Sequence, residues 1–366
     1  MTVNKGPPIL GKANVTPALD SKAMATAGCV RVELFPTLLP TGELCVQKVR
    51  TYSTLGLRHL VPQSFVGLPL VDAEGDACET LLRTLYAVCP EAHVAAWRLA
   101  SSALLGREMP VTERVKLNRR VALEAAWGHL RLFALDMPSA LGLSRAVTMD
   151  NLRRIQGKGG WTTVDQEGMV AAVEALITGV ALEYSPSVWT RDALYAWAQT
   201  GVSGCAQMFQ ALFEAFALGM SATQQSSNEP VVRLVEHLKE RLNDLLEIAR
   251  ALKQGAMLRS RLHIEMHANA ATVQVDTARG TLQWRLTVAV MQEGDDGALR
   301  STVKQLEICA PTERNFAPGE LAERLLESLK APDEATLRYR ASGIVTALDP
   351  CTESVIEIHS VEDAYA

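Results

Sequence analysis

Apolar side chains recur at helical spacing through the middle of the chain. Five segments between residues 76 and 253 carry apolar residues three and four positions apart, which predicts a helical bundle. The clearest segment has Pro230 near its start and Gly255 beyond its end, as expected at helix boundaries. Its apolar stripe consists of Leu234, Leu238, Leu242, Leu245, Ile248 and Leu252.

An alternation of apolar and polar residues, typical of β-strands, flanks this region on both sides. Val30, Val32 and Leu34 share one face, and the chain turns back after Gly42, which predicts a β-hairpin. After residue 260 the alternation resumes and predicts a small antiparallel sheet. The segments that carry it are RLHIEMHAN, GTLQWRLTVAVM and STVKQLEIC.

Together these patterns predict an α+β fold, with a helical bundle core and small antiparallel β elements. Residues 1–70 are expected to form a flexible start and a β-hairpin entry segment. Residues 71–258 should form the bundle, and residues 259–366 the small sheet and a C-terminal segment. We expect the three stretches to make one composite domain.

Composition narrows the range of functions. The 366-residue chain is 48% hydrophobic and 21% charged, with a formal net charge of −5, which argues against a nucleic-acid or anionic-membrane surface. No apolar run reaches the roughly 18 to 20 residues of a membrane span, and the N-terminus has no signal-peptide core, so we expect a cytoplasmic protein. Seven cysteines without a C-x-x-C pair predict free thiols.

Cys89 stands at the predicted start of a helix. Pro90 suits the first helical position and Glu91 the second, so Cys89 should be the N-cap residue, where unpaired N–H groups favour a thiolate. His93 follows one turn later on the same face. This pattern predicts a metal-ready thiolate with an imidazole nearby, and the alternative is a cysteine and a histidine that simply pack inside the bundle.

Cys351 follows a similar pattern near the other end of the chain. Asp349 is a possible cap and Pro350 a turn residue, while the β-branched residues after Cys351 favour a strand. Taken alone, this motif favours a buried, inert thiol over a metal ligand.

Four segments resemble nickel-iron hydrogenase large subunits. TLYAVCPEAHVAAWRLA resembles their signature R-x-C-G-x-C-x-x-x-H, and ALDPCTESVIE resembles D-P-C-x-x-C-x-x-H. VDTARGTLQWRLTV is similar to the A-P-R-G segment and the strand after it, and EICAPTERNFAPGELAERLL to A-P-T-x-W-N-F-x-P-x-G. Because the segments keep the family's order along the chain, the resemblance implies the large-subunit fold.

This chain departs from the family at the metal-binding positions. Tyr86 and Ala87 stand where the first signature has its first cysteine and its glycine, and Ser354 and Glu357 replace the last cysteine and the histidine of the second. Nickel in this family needs a cage of four sulfurs, which serine and tyrosine oxygens do not reproduce. The resemblance therefore implies a protein that is not an enzyme and carries no nickel.

A shortened large-subunit relative with one cysteine in each half is similar to the HupK/HoxV group of hydrogenase maturation proteins. That resemblance implies an assembly scaffold in which Cys89 and Cys351 bind a transient Fe(CN)2(CO) unit. The implied partners are a HypC-type chaperone, the HypD and HypE maturation proteins and the hydrogenase large subunit. The alternative is a metal-free docking or chaperone protein for the same maturation complex.

The resemblance also implies three residues around the metal. Arg279 aligns with the arginine that lies over the metal and could donate charge-assisted hydrogen bonds to cyanide. His93 would lie beside the metal, and Asp349 would orient the backbone around Cys351. Ala278 stands where the family has a proline. The alternatives are a solvent-exposed arginine at a strand end and an ordinary turn aspartate.

Overall fold

The computed structural model describes most of the chain. It covers residues 28–54, 58, 60–70, 77–86, 88–145, 149–156, 164–177, 190–216, 230–289, 292–293 and 299–359. The predicted flexible start before residue 28 and Ala87 lie outside the described residues.

Helices form the body of the protein, as the sequence predicts. They are α1 Val61–Phe65, α2 Ala77–Leu85, α3 Pro90–Leu104, α4 Val111–Arg131, α5 Met137–Ala140, α6 Met149–Gln156, α7 Gln166–Leu176, α8 Arg191–Gln199, α9 Gly204–Ala215, α10 Pro230–Gln254, α11 Pro311–Asn315, α12 Leu321–Leu326 and α13 Glu334–Leu348. A π-helical turn at Leu132–Asp136 joins α4 to α5. The search for a helix long and apolar enough to cross a membrane, made over the described residues, finds none.

The described strands form two four-stranded sheets and a two-stranded one. The strands are β1 Cys29–Leu38, β2 Leu44–Thr54, β3 Leu262–His267, β4 Ala270–Thr277, β5 Gly280–Val288, β6 Gln292–Glu293, β7 Leu299–Arg300, β8 Val303–Cys309, β9 Lys330–Ala331 and β10 Glu353–Ile358. One four-stranded sheet has the order β10-β1-β2-β9 and the other is the antiparallel β3-β4-β5-β8. The β1–β2 hairpin therefore forms as predicted, but it also pairs in parallel with β10, which brings the two ends of the chain together.

The apolar stripe of α10 is buried as the periodicity predicts. Leu234, Leu238, Leu242, Leu245 and Ile248 are buried in the larger core, and Leu252 packs partly against it. Gly255 ends the helix with a φ of +61°, a conformation that glycine adopts without steric cost.

The second core lies between α3 and the antiparallel sheet. Every residue from Glu91 to Ser102 on α3 is buried, because α2 and α4 flank the helix and β4 and β5 pack beneath it. Burial on all sides locks α3 in place. The side chains at its N-terminus are therefore held in a fixed position.

The sheet differs from the sequence prediction in two details. The alternation does not mark Ala270–Thr277 as a separate strand, although this segment forms the centre of the sheet as β4. The pattern also predicts that Met266 shares the inward face of Leu262, but 49% of Met266 is exposed. β3 is an edge strand of the sheet, and its last three residues are all exposed.

Candidate functional site

Cys89 occupies the N-cap of α3, with Pro90 in the first turn, as the sequence predicts. The N–H groups of that turn, however, bind Glu124 of α4 instead of the thiol. Glu124 accepts from the backbone N–H of Glu91 at 2.7 Å and of Ala92 at 3.2 Å. Because this carboxylate satisfies the helix end, the Cys89 sulfur can face other partners.

Glu124 is a functional residue that sequence reasoning missed. Its side chain is buried, and burial raises the pKa of its carboxyl to about 8, although the two backbone N–H groups favour the charged form. The available signal was a single glutamate on the apolar stretch VALEAAWGHL of a predicted bundle helix. Such a residue needs a buried partner, and here the partner is the start of α3.

Asp349 ends α13 and does not begin a new element, which corrects the prediction that it caps the next one. Its backbone is left-handed, with φ 50° and ψ 64°. The chain then turns, and the backbone N–H of Cys351 donates to Thr312 Oγ1 at 3.1 Å. Strand β10 comes directly after this turn and pairs with β1, so Cys351 is held between two fixed elements.

The structure brings Cys89 and Cys351 together. Both cysteines are free and half-buried, they line the same cavity, and their thiols are close enough to shift each other's pKa. Their proximity lowers the pKa of Cys351, with further stabilisation from Arg279 and Thr312, and it raises the pKa of Cys89 together with burial. The pair therefore favours one thiolate and one thiol.

Arg279 lies beside the two sulfurs and is buried, so the alternative of a solvent-exposed arginine is wrong. Its Nε donates to the Asp349 backbone carbonyl at 3.0 Å and its Nη2 to the Asp349 carboxylate at 3.2 Å. The pKa of Arg279 is raised: burial opposes the charge, but Asp349, Cys351 and Cys89 together outweigh it. Arg279 thus stays cationic next to the thiolate.

A second buried arginine, Arg241, also binds the Asp349 carboxylate. Arg241 on α10 donates to the other carboxylate oxygen of Asp349 at 3.0 Å and to the Ala347 carbonyl at 3.1 Å. Its Nε also donates to His129 Nδ1 at 3.4 Å, and His129 Nε2 donates to Asp244 at 2.9 Å. The predicted orienting role of Asp349 therefore has a structural basis in a network that spans three helices.

His93 is fully buried one turn beyond Cys89. Its Nδ1 accepts a hydrogen bond from Trp284 Nε1 at 3.2 Å, and its ring stacks on Tyr86 with 3.6 Å between ring centroids. Burial, with a smaller contribution from Arg58, lowers the pKa of His93 to about 3, so the ring is neutral. Its Nε2 has no hydrogen-bond partner among the described residues.

A cavity of about 120 Å³ connects these groups. Cys89, Cys351, His93 and Arg279 line it, whereas Asp349 lies behind Arg279. The volume is many times what one water molecule needs. The structure thus gathers four of the five predicted site residues around one space, and the fifth holds two of them in position. Arg58, Thr312 and Glu313 are among the lining residues that the sequence reasoning did not single out.

None of the described side chains at the replaced family positions adds a soft donor to the cavity. Tyr86 lines the cavity but stacks on His93, and burial raises the pKa of its phenol, which keeps it protonated. Ser354 is exposed on β10. Glu357 pairs with Arg31 on the neighbouring strand. Tyr86, Ser354 and Glu357 offer only oxygen atoms. Among the described residues that line the cavity, the soft donors are therefore the sulfurs of Cys89 and Cys351.

Comparison with known proteins identifies one relative by sequence and several similar structures. The chain is 24% identical over 353 residues to the hydrogenase expression/formation protein HoxV of Cupriavidus necator, across 77% of this chain and 88% of HoxV. The nickel-iron-selenium hydrogenase of D. vulgaris Hildenborough matches the fold with a TM-score of 0.52 at 12% identity, covering 88% of this chain and 98% of that one. This chain is a homologue of HoxV with the fold of hydrogenase large subunits.

A further structural match is weaker, and the search of protein-family models found no match. An NAD+-reducing [NiFe]-hydrogenase in the H2-reduced state aligns with a TM-score of 0.44 and 16% identity, over 86% of this chain and 94% of that chain. The predicted fold class and the predicted resemblance to HoxV are confirmed by the two comparisons above. The roles of Cys89, Cys351, His93, Arg279 and Asp349 toward a metal remain predictions.

Proposed function

We propose that this protein is a hydrogenase maturation scaffold that holds or transfers an Fe(CN)2(CO) unit between Cys89 and Cys351. The observation that carries the proposal is the pair of thiols from distant parts of the chain that line one cavity together with Arg279. The homology to HoxV, an expression/formation protein, supports a role in building a hydrogenase.

The donor set fits this cargo. Thiolates are soft ligands that suit iron, and an iron that already carries three diatomic ligands needs few donors from the protein. The cavity of about 120 Å³ leaves room for a compact complex of seven heavy atoms. Loading requires the thiol pair to lose its remaining proton, and the fixed charge of Arg279 favours that loss.

The same geometry argues against nickel and against catalysis. A nickel site of the hydrogenase kind would require two further thiolates, and the aligned positions hold Tyr86 and Ser354. Tyr86 stacks flat on His93, and Ser354 is exposed on β10. We therefore propose a carrier that is not an enzyme and that binds iron only transiently.

A carrier of this cargo needs a donor and an acceptor. We propose that the protein works in the cytoplasm with a HypC-type chaperone and the HypD and HypE proteins, and that the hydrogenase large subunit receives the iron. The shared fold supports the last step, because a large-subunit-like cavity would present the iron in a form that the final enzyme recognises.

Infrared spectroscopy tests the proposal directly. The protein is purified without oxygen from cells that assemble a nickel-iron hydrogenase, and we expect cyanide and carbonyl stretching bands with about one iron per chain. Cys89→Ala and Cys351→Ala should each remove the bands, because each deletes one of two protein ligands.

Cys309→Ala is the matched control, since Cys309 is also half-buried but contacts Arg314 at 3.8 Å and is not one of the residues that line the cavity. It should keep the bands. Unmodified protein that is free of iron and of both bands, when prepared from competent cells, would refute the scaffold and leave the metal-free docking protein as the explanation.

A further inference from the structure

His93 lines the cavity and carries a buried ring nitrogen that lacks a hydrogen-bond partner among the described residues. That nitrogen is Nε2, and the residue as a whole is fully buried. A buried polar atom without a partner costs about 1–3 kcal/mol. Such an atom, on a residue that lines a cavity, points to a ligand that would satisfy it.

The partner of Nδ1 decides what Nε2 can do. An indole N–H is a donor only, so the bond from Trp284 Nε1 to His93 Nδ1 requires a lone pair on Nδ1. A neutral imidazole must then carry its proton on Nε2. We propose that Trp284 is a positioning residue that fixes His93 in the Nε2–H form, so that His93 donates a hydrogen bond to the bound cargo and is not a metal ligand.

The surrounding packing prevents the ring from turning over. Tyr86 stacks on one face with an interplanar angle of 15°, and Trp284 meets the ring at 65° with centroids 5.7 Å apart. Phe65 packs edge-on against Trp284 and holds the indole in place. A flipped ring would lose the bond from Trp284 and leave two buried polar atoms without partners.

This arrangement defines the chemistry of the cargo. His93 on α3 supplies one donor, and Arg279, between β4 and β5, supplies a cationic one. Two donors beside two sulfurs suit an anionic metal complex that presents at least two acceptor atoms away from the metal. A bare cation would find a soft ligand pair but would leave the donor on His93 unused. The inference rests on the proposed function for the identity of the cargo, but not for the tautomer.

Nitrogen-15 NMR of the metal-free protein tests the tautomer. The protein is labelled in its histidine rings, and His93→Gln identifies the signals of His93 by their loss. We expect a proton on Nε2 and a lone pair on Nδ1 over pH 6 to 8. A proton on Nδ1 would overturn the inference even if cyanide bands are found. The expected tautomer in protein that never shows such bands would instead support this inference while the proposed cargo fails.

Trp284→Phe tests the positioning role, with Trp97→Phe as the control because Trp97 is an equally buried tryptophan of the same core. Trp284→Phe should give a mixture of both tautomers and shift the cyanide bands of loaded protein, whereas Trp97→Phe should change neither. An unchanged tautomer and unchanged bands in folded Trp284→Phe would refute the role of Trp284. Should that variant not fold, the tautomer of the unmodified protein still decides the question.

Discussion

Arg279 donates hydrogen bonds to two different groups of Asp349. Its Nε binds the backbone carbonyl, and its Nη2 binds the carboxylate. Asp349 needs this support because its backbone is left-handed, a conformation that costs a non-glycine residue about 1–2 kcal/mol. Cys351 stands two residues later. These two hydrogen bonds therefore hold the Arg279 guanidinium beside the thiols, and they also hold the turn that carries Cys351.

Asp349→Asn should destabilise the protein strongly. The change keeps the shape and the tolerance of asparagine for a left-handed backbone but removes the negative charge between Arg241 and Arg279, both buried. Breaking a buried ion pair from one side costs about 3–5 kcal/mol. Denaturant unfolding of metal-free protein measures the loss.

The matched control for that prediction is Asp333→Asn. Asp333 caps α13 at its other end by accepting from the Thr336 N–H at 2.7 Å, and asparagine caps helices about as well as aspartate. The free energy of unfolding of Asp333→Asn should therefore stay close to that of the unmodified protein. Equal losses for the two variants would show that the ion network does not hold the turn.

Gly128→Ala should displace the turn that carries Arg279. A Cβ at Gly128 on α4 would lie 2.9 Å from the Ala278 Cβ and 3.9 Å from Arg279 Nη1. Overpacking of this kind costs about 1–3 kcal/mol and would push on the turn that carries Arg279. The measurements are the free energy of unfolding and the iron content. Ala278→Gly should restore both in the double variant, and a failure of that rescue would count against direct contact as the cause.

Arg279→Met should make the thiol pair harder to ionise. An opposite charge nearby lowers the pKa of an acidic group by about 1–3 units, so its removal should move the pH midpoint of Cys351 alkylation up by a similar amount. Peptide mass spectrometry after brief iodoacetamide treatment monitors each cysteine separately. Arg279→Lys keeps the charge and should retain most of the effect. A midpoint that does not move in Arg279→Met would exclude the arginine as the stabilising charge.

His237→Gln should weaken the acid sensitivity of the fold. Burial lowers the pKa of His237 to about 4, with Arg241 and His129 as further causes, whereas an unfolded histidine titrates near 6.5. The unfolded chain therefore binds one more proton as pH falls from about 6.5 to 4, and stability is lost in that window. Between those pH values, the free energy of unfolding of the variant should fall by about 1.4 kcal/mol less per pH unit than that of the unmodified protein. Urea unfolding at several pH values measures this difference. Parallel pH curves for the two proteins would contradict this assignment.

Local patterns in the sequence were enough to place five helices of the bundle and most of the strands, whereas helices such as α2 and α13 were not predicted. The stripe from Leu234 to Leu252 and the alternation from Val30 to Leu34 report which faces are buried, because helices and strands repeat with fixed periods. The caps at Pro90 and Gly255 arise from backbone chemistry that neighbouring residues already determine. The family resemblance then singled out Cys89, His93, Arg279, Asp349 and Cys351.

How these residues act together depends on contacts between distant parts of the chain. The parallel pairing of β10 with β1 joins strands more than 300 residues apart, and no local pattern encodes such a register. Glu124, Arg241 and Trp284 belong to the site because buried charges and buried N–H groups require partners, and those partners come from distant elements. The amino-acid order thus identifies the side chains that could do chemistry, whereas long-range packing determines which atom of each one faces the cavity.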